Sequence, residues 1–474
     1  MDHDDLHHWS QRAADWVRGY HRSLRDQPVR PQVTPGETAA KLPKTPPETA
    51  VPPEQIFADF ERIVPGAMTH WQHPRFFAYF PANAAPASIW AEQLVNGIAA
   101  QCMLWQTSPA ATEIEQVVTD WLRQALGLPP HFTGTIHDSA TTCTLSAVIT
   151  MRDRVSDWQS LEAGIAGGPQ LRIYASAQTH SSVDKAVRLA GIGQRNLVKV
   201  ETDADFAMDP AALEAAIKAD LAAGHTPAGL VLCSGGTAIG AFDRIAPALA
   251  IARRYGLYTH VDAAWAGSAM ICPEYRPLWE GVDGADSVVF NPHKWLGVQF
   301  DCAVQFLADP TPQIRSMGLR PAYLETQGAE EIVNFNEWTV PLGRRFRALK
   351  IWFVLRAYGL EGLRTRIRNH VAWTEKLAET IRAADDFRLV TEPRLALFTF
   401  QYTPPGADPD RATEALLAAI NDDGRVYLTQ TRHEGAFVIR VSAGTWDTTE
   451  ADVAAVWEVA RALADAQAAQ SSVA

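Results

Sequence analysis

The sequence predicts an α/β fold with a mostly parallel sheet covered by helices on both faces. Three observations carry that expectation. Short, nearly continuous apolar runs such as RIYAS, LVLC, YTHV and SVVF each end in polar or small residues, the pattern of strands buried on both faces. Amphipathic stretches such as PAALEAAIKADLAAG and RIAPALAIARRYG stand between them, as crossover helices would. Hydrophobic residues make up 47% of the 474 and charged residues 20%, enough apolar material for a substantial core.

The elements follow in order. The first thirty residues read as one amphipathic helix, because Leu6, Trp9, Ala13, Trp16, Val17 and Tyr20 recur at helical spacing. Residues 28–53 are rich in proline and threonine, so an extended connector is expected there. A short helix over roughly 54–64 ends at Pro65–Gly66. Such an arm buries its apolar stripe poorly alone and is expected to pack on the body of the protein or on a second subunit. ATEIEQVVTDWLRQALGLP is a long amphipathic helix stopped by Gly127 and Pro129. TGTIHDSATTCTLSAVITMRDR reads as a loop opening a helix, and LRIYASAQTHSSVDKAVRLAGI as strand, turn and helix. AGLVLCSGGTAIGAFD, LYTHVDAAWAGSA and GADSVVFNPHKWLG are each a buried strand followed by a loop. From about residue 343 a long helical stretch, interrupted near Gly359, leads into strand, strand, helix, strand, strand, helix. The closing QAAQSSVA is expected to fray. The expected division is an N-terminal helical arm (1–85), a large α/β domain (86–360) and a small C-terminal α+β domain (361–474).

Composition narrows the function. The formal net charge is −12, with no long basic run, which argues against a nucleic-acid binder. Cys102, Cys143, Cys233, Cys272 and Cys302 are few and far apart, which fits neither a disulfide framework nor a sulfur-rich metal site. No Asp/Glu–His pattern at metal spacing occurs, so no metal is expected. An acidic, polar start and the lack of an 18-residue apolar run point to a soluble, cytoplasmic protein without a membrane partner.

In a parallel sheet, functional groups gather beyond the carboxyl ends of the strands. Four such loops carry candidates: Ser139 and Thr141, His180, Asp262, and His293 with Lys294. From position alone Lys294, in NPHKWLG, is either a surface residue with a snorkelling stem or a partly desolvated amine able to form a Schiff base. Asp262 is either a loop hydrogen-bond acceptor or an ion-pair partner beneath a flat ligand, with small Ala264 permitting close approach. An amine and a carboxylate on neighbouring strands are what a pyridine-aldehyde cofactor needs. Ser139, Ala140 and Thr141 open a helix, either as simple caps or as a phosphate nest. His180 is either a turn residue or a flat group able to stack on an aromatic ring.

At these residues the sequence resembles the pyridoxal-phosphate-dependent group II decarboxylases, and among them most resembles the aromatic-L-amino-acid decarboxylases. HPRFFAYFP, SPAATEIEQVVTDWL, AQTHSSVDKA, HVDAAWAGSA, FNPHKWLGVQFDC and PLGRRFRALKIWFVLRAYG carry the resemblance, from the N-terminal arm to about residue 450. It implies the fold type I architecture, like that of aspartate aminotransferase, and a homodimer with an intertwined arm. It implies pyridoxal 5'-phosphate as cofactor, held covalently by Lys294, with Asp262 at the pyridine nitrogen and His180 stacked opposite Ala264. Ser139, Ala140 and Thr141 match the phosphate loop, and Asn291 and His293 match residues that steady the same region. Thr237 matches a threonine near the ring, and Tyr323 a loop tyrosine placed over the partner subunit's active site. Trp71, Tyr79, Phe80 and Pro81 match the substrate-side wall.

Four departures fall on the substrate side. Ala82 stands where animal relatives have threonine, Gln101 and Met103 where they have isoleucine and phenylalanine, and Trp265 where tyrosine is usual. The expected reaction is decarboxylation of an aromatic L-amino acid to its amine. The alternatives are an aldehyde synthase acting by oxidative decarboxylation, and a decarboxylase of a non-aromatic amino acid such as glutamate.

Overall fold

A computed structural model describes residues 1–319 and 332–471. Seven strands form the larger sheet: β1 (Thr133–His137), β2 (Leu171–Ser176), β3 (Leu197–Val200), β4 (Thr226–Cys233), β5 (Tyr258–Asp262), β6 (Ser287–Phe290) and β7 (Ala303–Leu307). Their order is β1-β7-β6-β5-β4-β2-β3. β7 runs antiparallel to both its neighbours, β1 and β6, while the other pairs are parallel. All strands except β7 therefore point the same way, and the loops after β1, β2, β4, β5 and β6 leave one edge of the sheet.

Every residue of β5, β6 and β7 is buried, as a sheet covered on both faces requires. The helix Ala140–Val155 supplies much of one cover, packing Ala147, Val148 and Met151 on Ile173 and Val231. It approaches β4 closely because position 229 is glycine; a Cβ there would collide with Met151.

Three strands differ from the sequence reading. Thr133–His137 is a strand and not part of a loop, and β3 and β7 have no counterpart in that reading. TGTIH carries a weak strand signal because Gly134 interrupts it. The same glycine admits Thr119 of the helix Pro109–Leu126, whose Cβ would lie 2.5 Å from a Cβ at 134. Pairing with β7 completes the strand.

The chain divides into two compact units, Ala82–Asn369 and a second made of Met1–Pro81 with His370–Ala474. The arm thus groups with the C-terminal segment, where three separate segments were expected. The second unit contains the antiparallel sheet β10-β11-β9-β8, with β8 (Phe387–Arg394), β9 (Leu397–Tyr402), β10 (Thr429–His433) and β11 (Ala436–Ser442). Its helices Pro409–Asp423 and Glu450–Ser471 occupy the expected places in the strand order, but the last one continues through residues expected to fray.

The arm helix His3–Ser23 is shorter than the thirty residues expected and is opened by a capping box of Asp2 and Asp5. Trp9 and Trp16 pack on Phe57 and Phe60 of the helix Pro53–Ile63. Beyond it, Arg25 and Arg75 converge on Asp452, 2% exposed, at 3.0 and 3.2 Å. Two cations on one buried carboxylate tie the arm to the last helix.

The helix Ala348–Arg382 is broken at Gly359, φ +63°, as the interruption in sequence suggested. Among the described residues no helix is long and apolar enough to cross a membrane. All five cysteines are unpaired and buried.

Candidate active site

The centre of the sheet edge is stitched together by backbone. Asp262 closes β5 in register with Cys233 of β4 and Val289 of β6. Ser234 N donates to Asp262 O at 2.8 Å, and Asn291 N to Ala264 O at 2.9 Å. The Asp262 side chain is buried, and its Oδ1 accepts Ala264 N at 3.0 Å. Its second oxygen accepts no hydrogen bond among the described residues. Ala264 packs with Ala140, Cys143, Val289 and Ala303, which brings the first turn of the helix Ala140–Val155 against this floor.

That first turn holds unused donors. Ser139 is its N-cap, and its Oγ accepts Thr142 N at 3.3 Å. Asp138 takes Ser139 N at 2.8 Å and Thr142 Oγ1 at 2.6 Å. The amides of Ala140 and Thr141, and the Thr141 hydroxyl, have no hydrogen-bond partner among the described residues. Asn291 is buried, and its Oδ1 is likewise without a partner there. His293 Nδ1 accepts Cys302 N at 2.9 Å, which leaves the ring proton on Nε2. Burial, reinforced by the Lys294 charge, pushes His293 down to about 3, so it is neutral. The open amides of Ala140 and Thr141 and the Thr141 hydroxyl, at a helix N-terminus, and the Nε2–H of His293 are donors that suit a phosphate.

The remaining candidates surround the same floor. His180 follows β2 and accepts Ser182 N on Nδ1 at 3.1 Å. Desolvation lowers its imidazole pKa; Asp262 opposes the shift and Lys294 reinforces it, which places the three within electrostatic reach. Lys294 is partly buried, with its backbone N–H on Asn291 O at 3.0 Å. Asn83, which the sequence reading missed, donates Nδ2 to Lys294 O and its N–H to His293 O at 2.8 Å. Its only signal was its place just after the FAYFP run. Thr237 is partly buried in the loop after β4. Nearby Gly235 has φ +85°, and a Cβ there would lie 2.5 Å from Ala266 Cβ. His260, in contrast, is spent on structure, with Ser287 Oγ at 2.9 Å and Thr144 Oγ1 at 3.4 Å. Among the described residues no cluster of three His, Cys, Asp or Glu side chains could hold a metal ion.

The family profile described as the pyridoxal-dependent decarboxylase conserved domain matches residues 35–403. The chain belongs to the pyridoxal-dependent decarboxylase family. It is 36% identical to tyrosine decarboxylase 2 of Arabidopsis thaliana, over 97% of this chain and 87% of that protein. Phenylacetaldehyde synthase of the same plant is also 36% identical, over 97% and 96%. A crystal structure of Oryza sativa TDC with PLP and tryptamine superposes with a TM-score of 0.95 at 33% identity, covering 98% of this chain and 99% of that one. The architecture is therefore fold type I, and the protein is a carboxy-lyase that uses pyridoxal phosphate. The open donors beside Ala140 and the open oxygen of Asp262 fit the two polar ends of that cofactor.

The substrate-side candidates of this decarboxylase fall in both units. In the discontinuous one, Trp71 and Tyr79 are exposed and stacked, with centroids 5.9 Å apart at 23°. Tyr79 has φ +48°, and Arg440 holds that turn by donating Nη1 to Tyr79 O at 2.6 Å and lying 4.5 Å over the Phe80 ring. Tyr427 contacts Tyr79 edge-on at 6.3 Å and was not anticipated. Phe80 and Pro81 are buried.

In the continuous unit, Gln101 Oε1 accepts Arg344 N at 2.8 Å, and Met103 O accepts Asn336 N at 3.1 Å. Ala82 is partly buried. Trp265 is 1% exposed and stacks on Trp295 at 5.1 Å, so this departure lies in the core beside Lys294. Tyr323 lies outside the described residues.

Proposed function

We propose that this carboxy-lyase converts an aromatic L-amino acid to the corresponding amine and carbon dioxide, as a cytoplasmic homodimer. The exposed Trp71–Tyr79 stack carries the substrate reading, since it offers a flat apolar surface to a ring. Relatives named tyrosine decarboxylase and tryptophan decarboxylase support it.

Pyridoxal phosphate, when bound, supplies the sink for the electrons left on Cα as carbon dioxide departs. The protein does the rest. Lys294 would anchor the cofactor through its amine. Asp262, with one oxygen already fixed by Ala264 N, keeps its other oxygen for a protonated ring nitrogen. His180, within electrostatic reach of Asp262 and Lys294, would pack its imidazole on the cofactor ring. Ala140, Thr141, Asn291 and His293 hold the phosphate, and Tyr323 delivers the proton to Cα.

Aldehyde synthesis is the second reading, favoured by the equal identity to phenylacetaldehyde synthase. It would consume one oxygen and one water per amino acid and release aldehyde, carbon dioxide, ammonia and hydrogen peroxide. The two outcomes part at whichever reaches Cα first, a proton or oxygen. Retention of Tyr323 and His180 favours the proton. Incubating the cofactor-saturated enzyme in air with an equimolar mixture of L-amino acids should yield mainly an aromatic amine. Dominant 4-aminobutyrate would refute the aromatic substrate, and peroxide matching carbon dioxide would establish the synthase. General acid help is worth about 10²- to 10⁴-fold. Tyr323→Phe should therefore slow amine release more than carbon dioxide release and move product toward aldehyde. An unchanged rate and product ratio would remove Tyr323 from the mechanism.

A further inference from the structure

Lys350 is a buried charge that the chemistry above does not use. It is 2% exposed, and an ammonium in that setting is costly unless paired and hydrogen-bonded. Its Nζ lies 3.3 Å from Glu92 Oε2 and donates to Gln299 O at 3.1 Å, Gln299 Oε1 at 3.1 Å and Asp301 O at 3.0 Å. All three hydrogen-bond acceptors belong to one short segment, 299–301. Two more contacts fix the same segment: Gln299 N on Ser88 Oγ at 2.7 Å, and Arg347 Nε on Asp301 Oδ1 at 2.8 Å.

The next residue is Cys302, whose N–H lies on His293 Nδ1 at 2.9 Å and whose carbonyl accepts His293 N at 3.3 Å. The Phe300 ring also stands 4.8 Å from the His293 ring. A neutral imidazole has one donor and one acceptor nitrogen, and the partner of one decides the role of the other. The segment that Lys350 holds therefore decides which way His293 donates.

We propose that Lys350 is a positioning residue for the cofactor phosphate: by clamping 299–301 it keeps Cys302 N–H on His293 Nδ1, and so keeps His293 Nε2–H as a donor. The proposal rests on His293 as a phosphate ligand. A lysine suits the task because its tetrahedral ammonium reaches acceptors in several directions, whereas the planar fork of arginine does not.

The test compares binding of pyridoxal phosphate with binding of pyridoxal, which lacks the phosphate, together with the ³¹P resonance of the bound cofactor. The double variant Lys350→Met with Glu92→Gln removes both buried charges and leaves no carboxylate unpaired; Arg345, the other partner of Glu92, is half-exposed and stays solvated. It should bind pyridoxal phosphate about 10- to 100-fold more weakly, the loss that accompanies one hydrogen bond to a charged group. Pyridoxal binding should change less than about twofold, and the ³¹P resonance should move. Lys350→Arg should show the same phosphate-selective loss, smaller at about three- to tenfold, and it decides the matter if the double variant does not fold. Equal weakening of both ligands with an unmoved resonance, or no weakening at all, would overturn the proposal. His293→Ala serves as the parallel control. If it loses phosphate selectivity while the Lys350 variants bind like the parent, Lys350 alone is refuted. If it affects both ligands alike, the reading of His293 itself fails.

Discussion

A buried carboxylate with one oxygen fixed by a backbone amide and the other open presents a single direction for a cation. Asp262 is such a group. Replacing it with asparagine keeps the size and removes the charge. Asp262→Asn, saturated with cofactor, should lose at least about 100-fold in turnover, the usual cost of one preorganised electrostatic contact. Near-parental turnover in a steady-state assay would contradict the ion pair. Lys294 makes a separate expectation: borohydride reduction of the holoenzyme followed by peptide mass analysis should find the pyridoxyl group on Lys294 and on no other lysine. These residues were legible because each follows an apolar run that ends abruptly in a polar side chain. Asn83 and Lys350 were not, since their partners are backbone carbonyls more than two hundred and about fifty positions away, respectively.

At the scale of elements, the first turn of the helix Ala140–Val155 does two jobs with neighbouring residues. Ser139 caps it, while Ala140 and Thr141 keep their amides open. Ser139→Ala should cost about 1 kcal/mol in denaturant unfolding, the ordinary value of a serine cap. β2, β4, β5 and β6 were readable from their apolar runs, as were the four strands and two helices of the smaller sheet region. β1 was lost because its identity depends on tertiary partners, Thr119 against Gly134 and β7 along its edge. Local pattern carries little of that information. Gly235 shows the converse: a φ of +85° beside Ala266 demands glycine, which SGGT signals without saying what crowds it.

For the whole molecule, assembly and pH response follow from what is exposed and what is buried. Trp90, Leu94 and Ile98 form an exposed apolar stripe along the helix Pro86–Ile98, 59, 42 and 61% exposed. If that stripe meets a second copy, sedimentation should give twice 52.0 kDa, and Leu94→Asp should shift the enzyme toward monomer. His73, His137, His260 and His293 are buried, and desolvation pushes them down to about 4, 3, 4 and 3. Each folded value lies below the unfolded value near 6.5, so the unfolded chain binds the extra protons. Stability is then full above about pH 6.5 and is lost as pH falls toward 4, by up to about 1.4 kcal/mol per pH unit for each histidine. Calorimetry from pH 7.5 to 4.5 should show that fall, and His260→Gln should flatten it by about one quarter at most. The division of the chain also sets an order of manufacture. The residues proposed to touch the cofactor lie in the uninterrupted stretch Ala82–Asn369, whereas Met1–Pro81 shares its unit with His370–Ala474, which is made later. Ribosomes add about 5–20 residues per second, so the inner stretch has several seconds to fold while the arm still waits for Asp452. Stalled nascent chains ending past residue 400 should resist protease across the inner stretch and be cut within the arm.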